Sequence, residues 1–159
     1  MRWSVFLLAL LLSLGAVRAA PAQTASLSEL AKHADLIALG RCQSAESAWD
    51  DAHRLIVTTI HFQPTRSFKG TTADRLTVKV LGGQVGHTAM TASHGAAMAA
   101  GEEAVLFLRR SRFGSYFVVW GGAGGKLPVR VEPFSGRRMI GGALAAEEFA
   151  HLIDATAGQ

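Results

Sequence analysis

Cysteine is almost missing from this chain. Cys42 stands alone among 159 residues, so no disulfide can form within the molecule and burial of apolar surface has to supply its stability. There are four prolines and one tyrosine. A strong excess of one charge is also lacking. The net charge is +4, and two of the sixteen basic residues, Arg2 and Arg18, lie in the first eighteen positions. The basic balance is therefore a poor argument for nucleic acid, which is not expected as a partner. After Leu14 no long apolar run occurs, so no membrane span is expected in the mature chain.

What is present begins with a leader. Arg2 gives a positive start, and Val5 to Leu14 is apolar except for Ser13. Val17-Arg18-Ala19 offers the small residues of a cleavage site. Residues 1–19 read as a signal peptide, with an alternative end at 22 after Ala20-Pro21-Ala22. The run is shorter than the roughly 20 residues that cross about 30 Å of hydrocarbon. The protein is thus expected to be exported. Its alanine, glycine and arginine content, typical of a GC-rich bacterial genome, places it in the periplasm or outside the cell. Residues 26–156 remain as one domain of ordinary size.

Within that domain, Ser26 and Glu29 have capping-box spacing ahead of a short helix to Ala34. From Leu36 the pattern turns to strand and runs towards Trp49. Leu55 to Phe62 alternates, with Ile56, Thr58, Ile60 and Phe62 on one face. Leu76 to Val80 alternates again. Gly82 to Gly101 has little periodicity and reads as a long surface loop. Ala104–Leu108 and Tyr116–Trp120 predict a hairpin turning at Phe113-Gly114, and Val129–Val131 with Arg138–Ile140 a second, turning at Ser135-Gly136. Ala143 to Ala155 predicts a helix with Leu144, Phe149, Leu152 and Ile153 on one face. The expected fold is mainly β: a small OB-like, Greek-key barrel of five to seven strands, with a short N-terminal helix and a C-terminal helix.

The order of motifs carries a resemblance. Leu30-Ala31-Lys32-His33-Ala34-Asp35-Leu36-Ile37-Ala38-Leu39-Gly40-Arg41 feeds a first strand. Thr58, Ser67-Phe68-Lys69-Gly70, Gly82-Gly83 and Gly101-Glu102-Glu103-Ala104-Val105-Leu106-Phe107-Leu108 follow. This resembles a family of uncharacterised secreted bacterial proteins and, more distantly, the netrin-like module of tissue inhibitors of metalloproteinases, an OB-fold barrel. The resemblance covers most of Leu27 to Trp120 and implies a binding barrel. Those inhibitors chelate a protease zinc through an N-terminal cysteine. No cysteine directly follows either cleavage site here, and the family's disulfides are lacking, so zinc chelation does not carry over.

No catalytic motif is found. Gly121-Gly122-Ala123-Gly124-Gly125-Lys126 fails as a phosphate loop, because Trp120 and Leu127 stand where a glycine and a Ser or Thr are needed, and it reads as a strand bend. Glu148 and His151 have the spacing of a di-iron motif without its second copy. His33, His53 and His61 have no spaced partners. No G-x-S-x-G elbow or H-E-x-x-H helix occurs. Two sets of residues remain as candidates. His87, Met90, His94 and Met98 mix imidazole with thioether, a donor set suited to copper(I), and three of them would share a face if that stretch were helical. Arg109, Arg110, Arg112, Arg130, Arg137 and Arg138 fall near two hairpin tips and are expected to form one basic edge for a protein or an anionic envelope component. The expected function is an exported, non-enzymatic binding module, directed at a protease or another envelope protein. The alternative is a periplasmic soft-metal protein that binds copper.

Overall fold

The computed structural model describes residues 26–157, so the leader and its cleavage sites lie outside the described residues. Helix α1 spans Leu27–His33. The hydroxyl of Ser26 accepts from the Glu29 amide at 3.2 Å, as the capping spacing predicts. Seven residues are too few to hold a helix alone. Burial of Leu30 and Ala31 fixes it, and the Lys69 ammonium closes its far end by donating to the Ala31 carbonyl at 2.7 Å.

Strands β1 (Leu36–Trp49) and β2 (Ile56–Lys69) form a long antiparallel hairpin. Its turn is held by the Asp50 carboxylate, which accepts from the amides of Arg54 and Leu55 at 2.6 and 3.0 Å. Those two bonds lower the pKa of Asp50. Strand β1 carries register shifts at Ile37/Ala38, Leu39/Gly40 and Cys42/Ser44. Such bulges bend a strand sharply enough to close a small barrel. Gly40 lies at the tightest point: a Cβ there would come within 2.2 Å of the Gln63 carbonyl oxygen.

Strand β3 (Leu76–Leu81) extends the sheet beside β2. A small hairpin follows, β4 (Gly83–Val85) with β5 (Thr88–Met90), and then β6 (Glu103–Arg110) and β7 (Phe117–Val119). The ring runs β1-β2-β3-β7-β6 and returns to β1 through pairs from Leu36↔Leu108 to Arg41↔Glu103. All its pairings are antiparallel except β3–β7, which meet in parallel at Val78↔Phe117. This is the closed five-stranded, OB-like barrel that the sequence predicts.

Strand β6 forks. Its C-terminal half pairs with β7, and its N-terminal half with β8 (Lys126–Val131), which leads through β9 (Arg138–Ile140) and β10 (Leu144–Ala145) into helix α2 (Ala146–Ala157). The branch and both helices pack on the outside of the barrel, which gives two cores. Leu36, Ala38, Cys42, Ile60, Phe62, Val78, Leu106 and Leu108 fill the lumen. Ile37, Leu39, Val105 and Phe107 point the other way, against Leu30, Ala31, Ile140, Phe149 and Ile153. Phe149 meets Phe68 and Phe107 edge-on, with centroids 4.8 and 6.2 Å away.

Two expectations need correction. Residues 82–101 are not one irregular loop, because β4 and β5 pair around a two-residue turn whose first position, Gly86, has φ 59°. Alanine-rich composition hid that hairpin, although glycine at this position suits a tight turn. The last helix begins at Ala146 and not at Ala143, since Leu144 and Ala145 first pair with β9. The Ala145 amide donates to the Glu148 carboxylate at 3.1 Å, which makes Glu148 a cap of this helix.

Candidate binding surface

The segment that follows β3 closes one end of the barrel. Ala96 and Met98 plug the lumen. The end of the segment is tied down by the Lys126 ammonium, which donates to the Ala97 carbonyl at 2.5 Å and to the Glu102 carboxylate at 2.8 Å. The Ala99 amide also donates to Glu102, at 2.9 Å. Lys126 is thereby committed to a structural clamp. Beside it, a Cβ on Gly125 would fall 1.8 Å from the Trp120 carbonyl oxygen, so the glycine run is a bend of closely approaching backbones.

Two open clefts flank the plug. One, of about 430 Å³, is lined by Ser47, Thr58, Gly83, Met90 and Met98. At its floor Thr58 donates to the Gly82 carbonyl at 2.6 Å and shares a 2.8 Å hydrogen bond with Ser47, so this buried hydroxyl is satisfied. The other, of about 570 Å³, lies between β3 and β7 and is lined by Lys79, Leu81, His94 and Val118.

The structure does not gather the sulfur and imidazole residues into one site. His87 is exposed in the β4–β5 turn, Met90 is half-buried at the end of β5, and Met98 is sunk in the barrel core. His94 is exposed and lines the second cleft, whereas Met90 and Met98 line the first. The shared face needed a helix, and residues 91–100 form none. Among the described residues no three His, Cys, Asp or Glu side chains converge in a group that would hold a metal.

Cys42 is a buried strand residue whose thiol donates to the Ser44 carbonyl at 3.4 Å. Burial first, and the charge of Glu102 second, push its pKa up. It is therefore held as the protonated, weakly nucleophilic thiol.

The arginines are divided, which corrects the expectation of one basic edge. Arg109, Arg110 and Arg112 lie at the C-terminal end of β6. Arg130, Arg137 and Arg138 sit on the β8–β9 hairpin, which reaches past the other end of β6. The register carries the two groups to opposite ends of β6. The antiparallel path of β8 causes the separation, and sequence proximity alone does not reveal it. Within the first group, the Arg109 guanidinium covers the Trp120 ring at 4.6 Å and that of Arg110 covers Phe117 at 5.3 Å. In the second, Arg138 pairs with Glu103 at 3.3 Å, and Glu103 also meets Arg41 at 3.9 Å.

Two side chains at the hairpin tips stand out. Phe113 is 91% exposed at the β6–β7 tip, beside Arg112, and Phe134 is fully exposed at the β8–β9 tip, ahead of Arg137 and Arg138. The available signal was an aromatic residue in a turn with arginines within a few positions. No helix among the described residues is long and apolar enough to cross a membrane. No protein-family model matches this chain, and no curated protein matches it.

Proposed function

We propose that this protein is an exported, non-enzymatic binding module: a rigid OB-like barrel that offers its hairpin tips to a component of the cell envelope. The observation that carries this reading is the pair of bare phenylalanines, Phe113 and Phe134, each beside exposed arginines at a hairpin tip. Large aromatics left in water have no role in the two cores of this molecule. Aromatic and arginine side chains are also the residues in which binding energy concentrates. Presentation on turns of a closed barrel lets such residues vary without disturbing the fold. A protease as partner is the version that the netrin-like resemblance suggests, and it rests on fold-level analogy.

The test is capture from an envelope extract by the chain beginning at Ala20, beside a Phe113→Ser/Phe134→Ser double variant. Retention of a dominant component by the first and its loss from the second is the expected result. Equal retention by both, with equal folding by circular dichroism, overturns the assignment to the tips.

A further inference from the structure

We infer that the β8–β9 tip docks on an anionic lipid surface, with Phe134 entering the interface and the arginines behind it meeting the head groups. This rests on the binding-module reading and names its partner. The outermost loop, Pro133-Phe134-Ser135-Gly136, contains no charged side chain. Phe134 is fully exposed, and Val131, one turn back on β8, is 59% exposed. Directly behind this apolar cap stand three exposed arginines: Arg130 on β8, Arg137 just before β9, and Arg138 at its start. Two carboxylates lie near them: Glu103, which pairs with Arg138 at 3.3 Å, and Glu132, which accepts a hydrogen bond from the Ser135 hydroxyl within the turn. Arg130 and Arg137 are thus the collar's cations outside any ion pair found among the described residues.

An apolar tip with a cationic collar follows the order of layers in an anionic membrane, acyl chains beneath negative head groups. Arginine is suited to the collar because its guanidinium makes paired hydrogen bonds to phosphate. The shape favours lipid over a folded protein. Phe134 projects from a convex turn with no neighbouring side chain covering it, and a fluid interface accepts such a projection without a preformed pocket. The hairpin branches off the ring at β6, and its pairing with β6 ends at Ala104↔Pro128, so residues 133–136 follow beyond that pairing. The β6–β7 tip lacks this layering, since Arg112 directly precedes Phe113 in the turn and Arg110 is spent on covering Phe117.

The experiment is co-sedimentation of the chain beginning at Ala20 with vesicles of equal parts phosphatidylglycerol and phosphatidylcholine, against vesicles of phosphatidylcholine alone. Binding to the anionic vesicles only, weakened by salt, is expected. Phe134→Ser should lower partitioning about tenfold or more, the loss of one buried aromatic. Arg137→Ala should lower it about fivefold, one interfacial cation. Leu152→Ser and Arg75→Ala, an exposed apolar residue and an exposed cation elsewhere, should leave it unchanged. Both tip residues are exposed, so unchanged circular dichroism separates lost binding from lost folding.

Three results overturn the assignment: no binding to the anionic vesicles, equal binding by wild type and Phe134→Ser, or capture of an acidic protein by this tip from lipid-free extract. The last leaves the binding-module reading standing with a different partner. A folded chain that retains neither vesicles nor any envelope component defeats both.

Discussion

The wall of this barrel has two unlike halves. Along β1 and β6 both faces are buried: Leu36 to Gly40 and Ala104 to Leu108 are buried at every position, because the lumen lies on one side and the helices with the β8–β10 branch lie on the other. Along β2 and β3 every second residue faces out. Val57, Thr59, His61, Thr77 and Lys79 are half-buried on a surface that no helix covers. That bare half carries apolar side chains as well as polar ones: Leu81 is 47% and Val118 36% exposed, while Lys79 lies over the Tyr116 ring at 4.7 Å. The comparison teaches that the uncovered sheet face leaves aliphatic side chains only partly in water, whereas at the hairpin tips whole aromatic rings remain in water. Phe113 and Phe134 are the most exposed large hydrophobics among the described residues.

Substitution should separate the two halves clearly. Phe107→Ala, on the covered side, is expected to destabilise by about 3–5 kcal/mol in urea unfolding, whereas Val118→Ala on the bare side should stay within about 0.5 kcal/mol. Similar losses at the two positions would mean that the bare wall is packed against something. An intermediate effect is expected where the halves meet at the plugged end. Thr58→Val strands the Gly82 carbonyl and the Ser47 hydroxyl, for a loss of about 1–3 kcal/mol, and Thr58→Ser should restore most of it.

The smallest effect belongs to the β1–β2 turn on the exposed side. The pKa of Asp50 is lowered in the fold, so its support of the turn is present above the unfolded carboxylate value and lost as pH falls through the folded one. Amide exchange at Leu55 and Arg54, followed as pH falls below the ordinary carboxylate range, should show the turn loosening. In Asp50→Asn that acid dependence should vanish.

The same contrast explains what was legible in the sequence. Unbroken runs such as Leu36-Ile37-Ala38-Leu39 mark strands buried on both faces, and the alternation from Ile56 to Phe62 marks a strand buried on one. Those two patterns, with the Ser26 cap and the glycine bends, were enough to predict the barrel and its helices. The β4–β5 hairpin escaped because Gln84, Thr88 and Ala89 are too polar or too small to show a period. The candidate site was less legible. Arg112 and Arg130 are eighteen positions apart in the chain, but the fork at β6 sends them to opposite ends, and pairing partners are not written in composition. Phe134 drew no notice in the sequence because exposure, the property that sets it apart, depends on everything around it.

The double burial of β1 has a consequence for the order of assembly. Leu36 finds its partner Leu108 roughly seventy residues later in the chain, and the cluster around Ile37 and Leu39 is completed only by Phe149 and Ile153 of α2 at its far end. Strands β1 to β3 can pair as they emerge, but until β6 and α2 are made their sheet keeps apolar surface on both sides. The barrel is therefore built from its first strand and completed by its last helix. A chain cut short before Ala146 would lose Phe149 and Ile153 from the outer cover of β1 and β6, leaving α1 and the β8–β10 branch over them.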